Sequence, residues 1–296
     1  MSSVESLVPE GPAPQPGVFS PVPSAARFLT FLRNPEGDAR GALESLRENL
    51  WDPCVVLGVG ASAAAVPGLR PLPSSMTRFP ATPDALFARV SHSDESDRYD
   101  ACRALARRLE GAFTVREEHH AFLYAEGRDL SGFEDGTENP VGPRALDAAL
   151  VSAGAPGVRG GSFALLQRWV HDLRALEALD RNARNQLIGR DRETNEELPD
   201  APRSAHVRRA AQEDFDPPAF LVRRSMPYGG VRESGLLVLA FTASLERVER
   251  MLRRMHGDDD GVTDGLFAFS RAVTGAFFFC PPLREGRLDL RGLGPA

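Results

Sequence analysis

The residues with the most chemical promise stand together in Arg128-Asp129-Leu130-Ser131-Gly132-Phe133-Glu134-Asp135-Gly136-Thr137-Glu138-Asn139-Pro140. An apolar-aromatic run from Ala121 to Ala125 precedes them and reads as a strand, and Pro140 stops regular structure, so a loop leaving a sheet is predicted. Loops held by a rigid scaffold are common places for chemistry. Gly132 and Gly136 flank Phe133-Glu134-Asp135 and remove side-chain bulk, which lets a planar group approach the main chain while Asp135 points at it. Taken alone, the same residues also suit a surface turn, because Asp-Gly and Asn-Pro are frequent turn dipeptides.

Two more stretches narrow the choice: Ser204-Ala205-His206-Val207-Arg208-Arg209, and Phe220-Leu221-Val222-Arg223-Arg224-Ser225-Met226-Pro227-Tyr228-Gly229. With the loop before them, in this order, they resemble the dye-decolourising peroxidases, a family of haem b enzymes, and most closely its intracellular bacterial branch. Gly160-Gly161-Ser162-Phe163, Gln167 to Leu173, Ile188-Gly189-Arg190 and Val273 to Phe279 extend the resemblance, which runs from about residue 20 to 283.

The resemblance implies a peroxidase that uses hydrogen peroxide to oxidise bulky one-electron organic donors, such as dyes and phenolics, through a ferryl intermediate. It implies one haem b per chain and a homo-oligomer. Heterolytic cleavage of the O–O bond needs a group that moves a proton from the inner to the outer oxygen, and a cation that stabilises the departing oxygen. On the matching positions Asp135 is the first and Arg223 the second, with Ser225, Gly132 and Gly136 in the same distal pocket.

Successive side chains of a strand face opposite ways, so only one of Arg223 and Arg224 shares a face with Ser225. The family's distal arginine lies two positions before an Asn or Ser, which selects Arg223 and turns Arg224 away. Imidazole is a common axial ligand of peroxidase iron. The aligned context assigns that role to His206, whereas His92, His119, His120 and His256 fall in polar stretches and His171 at a predicted helix start. A ligating histidine usually donates its other N–H to a carboxylate. Asp264 is where the family's acidic partner falls, with Asp258, Asp259 and Asp260 as competitors; Arg190 suits a haem propionate or a surface salt bridge.

Trp51, Trp169, Tyr99, Tyr124 and Tyr228 are the Trp and Tyr residues open to an electron-relay role, with ordinary packing as the other reading. Two other functions remain open on these residues. A haem-handling protein that stores, delivers or strips haem needs haem binding but neither Asp135 nor Arg223. A ferredoxin-like interaction protein needs no haem.

Positioning these groups requires a sheet. Strands are predicted at 27–33, 54–60, 85–91, 113–124, 163–170, 220–224, 236–241 and 273–279, and helices at 38–50, 95–109, 172–188 and 244–256. Leu245, Val248, Met251, Leu252 and Met255 give the last helix a buried face, and Gly257 stops it. The order strand-helix-strand-strand-helix-strand occurs twice, which predicts an α+β fold of duplicated ferredoxin-like units with antiparallel sheets, similar to a dimeric α+β barrel. The implied haem pocket lies between sheets and helices. The expected division is a Pro-rich arm at 1–24, an N-terminal half at 25–150, a C-terminal half with the haem ligand at 151–285, and a tail at 286–296.

At 296 residues and 42% hydrophobic composition the chain can bury a large core, and a net charge of −6 argues against a nucleic-acid footprint. The start lacks a secretory pattern and no apolar run suits a membrane span, so a cytoplasmic protein is expected. Cys54, Cys102 and Cys280 are scattered and read as buried reduced thiols rather than as a disulfide or metal site. Gly58-Val59-Gly60 lacks the rest of a dinucleotide fingerprint, and Glu117-Glu118-His119-His120 alternates faces, so neither is assigned a ligand. In the tail, Leu288, Leu290 and Leu293 either anchor a frayed end or resemble the short peptides that carry some family members into encapsulin shells.

Overall fold

A computed structural model describes residues 11–295. In chain order the first half comprises β1 (Ala25–Arg33), α1 (Ala39–Ser45), β2 (Val55–Gly60), β3 (Leu86–Val90), α2 (Glu95–Leu109) and β4 (Phe113–Phe122). Local signals explain α2. Asp94 caps its N-terminus by accepting from Ser96 and Asp97, acidic residues fill its first turn and arginines its last, and Cys102, Leu105 and Leu109 form the buried stripe.

The second half adds α3 (Pro143–Ala149), β5 (Ser162–His171), α4 (Leu173–Glu177), α5 (Arg181–Ile188), α6 (His206–Arg209), β6 (Val222–Arg223), β7 (Met226–Gly229), β8 (Ser234–Thr242), α7 (Leu245–His256) and β9 (Ser270–Cys280). The helix predicted over 172–188 is two short ones. Asp172 caps the first and Asp180, accepting from Ala183, caps a second, so the chain restarts where a continuous periodicity had been read. His171 is accordingly the last residue of β5 and not a helix start.

The sheet order is β5-β9-β2-β3-β1-β4-β7-β8-β6, and an additional β5–β8 pairing closes it into a barrel. Each half therefore repeats one arrangement, its first strand between its fourth and third. The closures are narrow: Ala121 opposite Tyr228 joins β4 to β7, and Val59–Gly60 opposite Phe278–Phe279 joins β2 to β9. Strand alternation sorts side chains to two faces. Ala164, Leu166, Leu237, Leu239 and Phe241 fill one face, while Leu165, Gln167, Trp169, Leu236, Val238 and Ala240 face the cavity described below.

The Pro-rich segment is not a detached arm over its described part, 11–24, and residues 1–10 lie outside the described residues. Gln15 is 1% exposed, and its side chain bonds both the N–H and the carbonyl of Leu57 (2.8 and 2.9 Å) and the Pro281 carbonyl (3.0 Å). One amide thus satisfies backbone groups where β2 and β9 lack a continuous ladder. Two guanidinium groups hold the next residues: Arg89 donates to the Gly17 carbonyl at 2.7 Å, and Arg224 to those of Phe19 and Ser20 at 3.0 and 2.8 Å. Burial and the neighbouring Arg224 push the Arg89 pKa down to about 10.

The C-terminal segment is packed in the same way. Leu288, Leu290 and Leu293 are 1%, 0% and 4% exposed, so the reading as a frayed tail fails. Burial of each leucine contributes roughly 1.5–3 kcal/mol, enough to hold a short segment down.

Candidate active site

The loop after β4 is shaped by its own backbone. Asp135 donates its N–H to the Gly127 carbonyl, Asp129 and Phe133 close a turn, and Arg128 bonds the carbonyls of Gly132 and Arg192 and the Glu134 carboxylate. Gly132 has φ +87° and Gly136 φ +74°, values that disfavour a side chain, and a Cβ on Gly132 would collide with the Arg192 guanidinium. Phe133 is buried against Leu176, Ile188 and Phe269. The loop is thus pinned on both sides of Asp135.

Arg223 arrives on an interrupted strand. β6 and β7 both pair with β8, and between them Arg224 and Ser225 leave the strand. Asn139 holds this point to the loop: its Oδ1 accepts the Arg223 N–H at 2.7 Å and its Nδ2 donates to the Arg223 carbonyl at 3.1 Å. The Arg223 guanidinium then lies 3.3 Å from the Asp135 carboxylate, both side chains about a quarter exposed or less. Arg223 and Ser225 line one cavity, whereas Arg224 binds the N-terminal carbonyls. The Ser225 hydroxyl is buried without a hydrogen-bond partner among the described residues.

His206 opens α6. Its Nδ1 lies 2.9 Å from Oδ2 of Asp264, whose side chain is fully buried and whose Oδ1 accepts the Leu266 N–H at 2.8 Å. A second stitch, Gly265 N–H to the Ser204 carbonyl, joins the same two loops. Because a carboxylate only accepts, Nδ1 donates, and Nε2 of the neutral ring keeps its lone pair. Two of the competing acids are engaged elsewhere, Asp258 with His256 and Asp260 with Arg203 and Arg209.

Asp135, Arg223, Ser225 and His206 line a single cavity roofed by Val248, Met251, Leu252 and Met255 of α7. Gly132 and Gly136 shape the loop beside it, and Asp264 stands behind the imidazole. Arg190 is apart from this group. It is bound to Glu138 (2.6 Å), Glu197 (2.7 Å) and the Asn195 carbonyl, in an adjoining pocket that also reaches Asp135, Arg223 and His206.

The wall also contains a set that motif reading passed over. His171 Nε2 lies 3.1 Å from Asp129, its Nδ1 2.7 Å from the Ser270 hydroxyl, and Asp129 also accepts the Ser131 N–H. Burial pushes the Asp129 carboxyl up, but the His171 hydrogen bond and charge, with Ser131, bring it below its ordinary value. Both residues lay inside stretches already singled out; only their convergence was hidden. Trp169 lines the cavity too, stacked on Phe267 at 5.6 Å, while Tyr99 and Tyr124 are exposed on the surface.

An apolar cavity that presents one imidazole nitrogen and one buried unpartnered hydroxyl fits a planar, metal-bearing macrocycle. Residues 126–285 match the family model described as Dyp-type peroxidase, C-terminal. A dye-decolorizing peroxidase of Mycobacterium tuberculosis is 32% identical over 92% of this chain and 89% of its own length. Another from Brevibacterium linens is 30% identical over 92% and 82%. Among solved structures, a variant of DypB from Rhodococcus jostii RHA1 in complex with heme superposes with a TM-score of 0.78 at 29% identity, covering 91% of this chain and 96% of that one. The encapsulated DyP-type peroxidase from Mycobacterium smegmatis gives 0.79 at 27%, covering 92% and 96%.

Fold and cavity together define a peroxidase built on a duplicated α+β barrel. The chain belongs to the Dyp-type peroxidase family.

Proposed function

We propose that the chain is a haem b peroxidase with one haem per chain, with His206 as the residue that would hold the haem iron, and Asp135 and Arg223 as the groups that act on hydrogen peroxide. The observation that carries this reading is that the Asp135–Arg223 pair and the His206–Asp264 pair open into one cavity. Bound haem supplies the iron at which peroxide is reduced and from which a bulky organic donor is oxidised by one-electron steps.

Around it, the chain's residues divide the labour. His206 presents Nε2, and Asp264 fixes the ring and holds the proton at Nδ1, which raises the basicity of the ligating nitrogen. Asp135 takes the proton from the inner peroxide oxygen and returns it to the outer one, and Arg223 stabilises negative charge on the leaving oxygen. Ser225 offers a hydroxyl in the same pocket, and the Gly132–Gly136 loop lets the backbone lie close to a planar ligand. Arg190 would reach a propionate only by exchanging Glu138 or Glu197 for it. Haem storage or delivery gives no role to the 3.3 Å Asp135–Arg223 pair, and for that reason turnover is the reading adopted.

Residues 25–150 and 151–285 are its two structural units. A homo-oligomer located in the cytoplasm completes the proposal; among the described residues no helix is long and apolar enough to cross a membrane. Loading into an encapsulin shell through 286–296 follows the M. smegmatis neighbour and requires Leu288, Leu290 and Leu293 to leave their buried positions.

Stopped-flow absorbance of haem-loaded protein with one equivalent of peroxide tests the mechanism. Asp135→Asn or Arg223→Leu should slow the reaction by about 10²–10⁴-fold, and His206→Ala should cost haem occupancy. Unchanged rates in both distal variants would remove the assigned roles.

A further inference from the structure

Away from the cavity, the ends of β2 and β3 bring together three residues that the peroxidase reading does not use. Asp52 lies just before β2, Cys54 immediately precedes Val55, and His92 follows β3. One ligand atom from each, a carboxylate oxygen, the thiol sulfur and an imidazole nitrogen, lie within 4.8 Å of one another. Ligands about 2.0–2.3 Å from a shared tetrahedral ion stand roughly 3–4 Å apart, so small side-chain adjustments suffice to bring these atoms around one centre.

The backbone holds the three in place. Val55 is paired with Val90, and both the N–H and the hydroxyl of Ser91 bond the Cys54 carbonyl at 2.9 Å. The Asp52 carboxylate is oriented through both oxygens: Oδ1 accepts the Cys54 N–H at 2.9 Å, and Oδ2 faces His92 Nε2 at 2.8 Å. Arg98 anchors the His92 carbonyl from α2 and is itself paired with Glu95, so its charge is already compensated. Cys102 and Cys280 are buried, whereas Cys54 is half-buried and therefore reachable.

We propose that Asp52, Cys54 and His92 form a binding site for a divalent cation of the zinc class. A thiolate and an imidazole select zinc, cobalt or cadmium over magnesium and calcium, which prefer all-oxygen sets. Thiolate and carboxylate together carry the two negative charges that the ion needs. Burial and the Asp52 charge push the bare Cys54 thiol up, and a dication seated between the two replaces that repulsion with attraction. The ion would exchange the Asp52–His92 hydrogen bond for two metal bonds, tying the segment before β2 to the segment after β3. Three protein ligands leave the fourth position to water.

The test uses haem-loaded full-length protein and zinc chloride. N-ethylmaleimide labelling of the Cys54 peptide is followed by mass spectrometry, which avoids the haem absorbance, and titration calorimetry supplies the stoichiometry. One equivalent of zinc should slow Cys54 labelling at least tenfold, with millimolar magnesium leaving the protection intact. In His92→Ala and in Asp52→Asn, half-protection should require at least about 10-fold more zinc, since loss of a ligand costs no less than loss of a group that supports one. Asp52→Asn keeps an oxygen for the Cys54 N–H and so separates lost ligation from lost structure. No protection by zinc, protection unchanged in His92→Ala, or equal protection by magnesium would each overturn the proposal.

Discussion

Asn139 and Arg223, 84 positions apart, are bonded to each other in both directions: Asn139 Oδ1 accepts the Arg223 N–H at 2.7 Å, and Nδ2 donates to the Arg223 carbonyl at 3.1 Å. A side-chain amide thereby replaces the backbone ladder at the place where β6 breaks off. It also sets the distance between the loop carrying Asp135 and the strand carrying Arg223.

Asn139→Ala is therefore expected to retain haem while losing speed with peroxide. Two backbone groups lose their partner, at about 1–3 kcal/mol of stability, and a displacement near 1 Å between the reacting groups costs on the order of 10²-fold in rate. Stopped-flow rates at full haem occupancy measure it, and a wild-type rate would show that the clamp does not position the pair.

In the proposed site, the buried Asp264 would act on haem through His206, whose Nδ1 it faces at 2.9 Å. Asp264→Asn should lower haem affinity by about 10–100-fold and raise the iron reduction potential, since the ligating nitrogen loses basicity. Haem transfer to apomyoglobin and a spectroelectrochemical titration report the two effects separately. A variant unchanged in both would leave Asp264 as a cap for the turn at Gly265 and nothing more.

Asp129 gives an acid-stability signature. Its carboxyl is held below its ordinary value in the folded protein, burial being outweighed by the His171 hydrogen bond and charge. The unfolded chain then binds more protons near pH 4, so this contribution is full above about pH 4 and is lost as pH falls through the lower folded-state value. Asp129→Ala should cost about 3 kcal/mol at pH 7 and flatten the acid limb of the stability curve. Urea unfolding between pH 3 and 7 measures both, and an unaltered slope below pH 4 would contradict the assignment.

Gln15 should behave as a core residue despite its place in a Pro-rich leader. Gln15→Ala leaves the Leu57 N–H, the Leu57 carbonyl and the Pro281 carbonyl without this partner. A loss of about 2–3 kcal/mol corresponds to a Tm decrease of roughly 3–5 °C in a chain of this size. Calorimetry of haem-loaded protein decides it; a shift below 1–2 °C would mean that water replaces the amide at little cost, as roughly 0–2 kcal/mol per ordered water allows.

What the sequence determined by itself was local in its physics. Glu95–Leu109 is a helix in sequence and structure alike, because its cap, its end charges and its apolar stripe all lie within the segment. The strands other than β7, the duplicated order and Gly257 as the stop of α7, at φ +96°, were legible for the same reason. The order of short motifs singled out Asp135, His206 and Arg223, which the fold brings to the wall of one cavity. Tertiary closure decided the rest. Gln15 meets a partner 266 positions away, Asp129 meets His171 across 42, and the local pair Asp52 and Cys54 meets His92 only when β2 and β3 are in register. The docking of Leu288, Leu290 and Leu293 likewise depends on a surface that exists only after the barrel closes. Periodicity and capping act within about one turn or one strand, whereas these contacts depend on which distant backbone groups closure leaves unpaired.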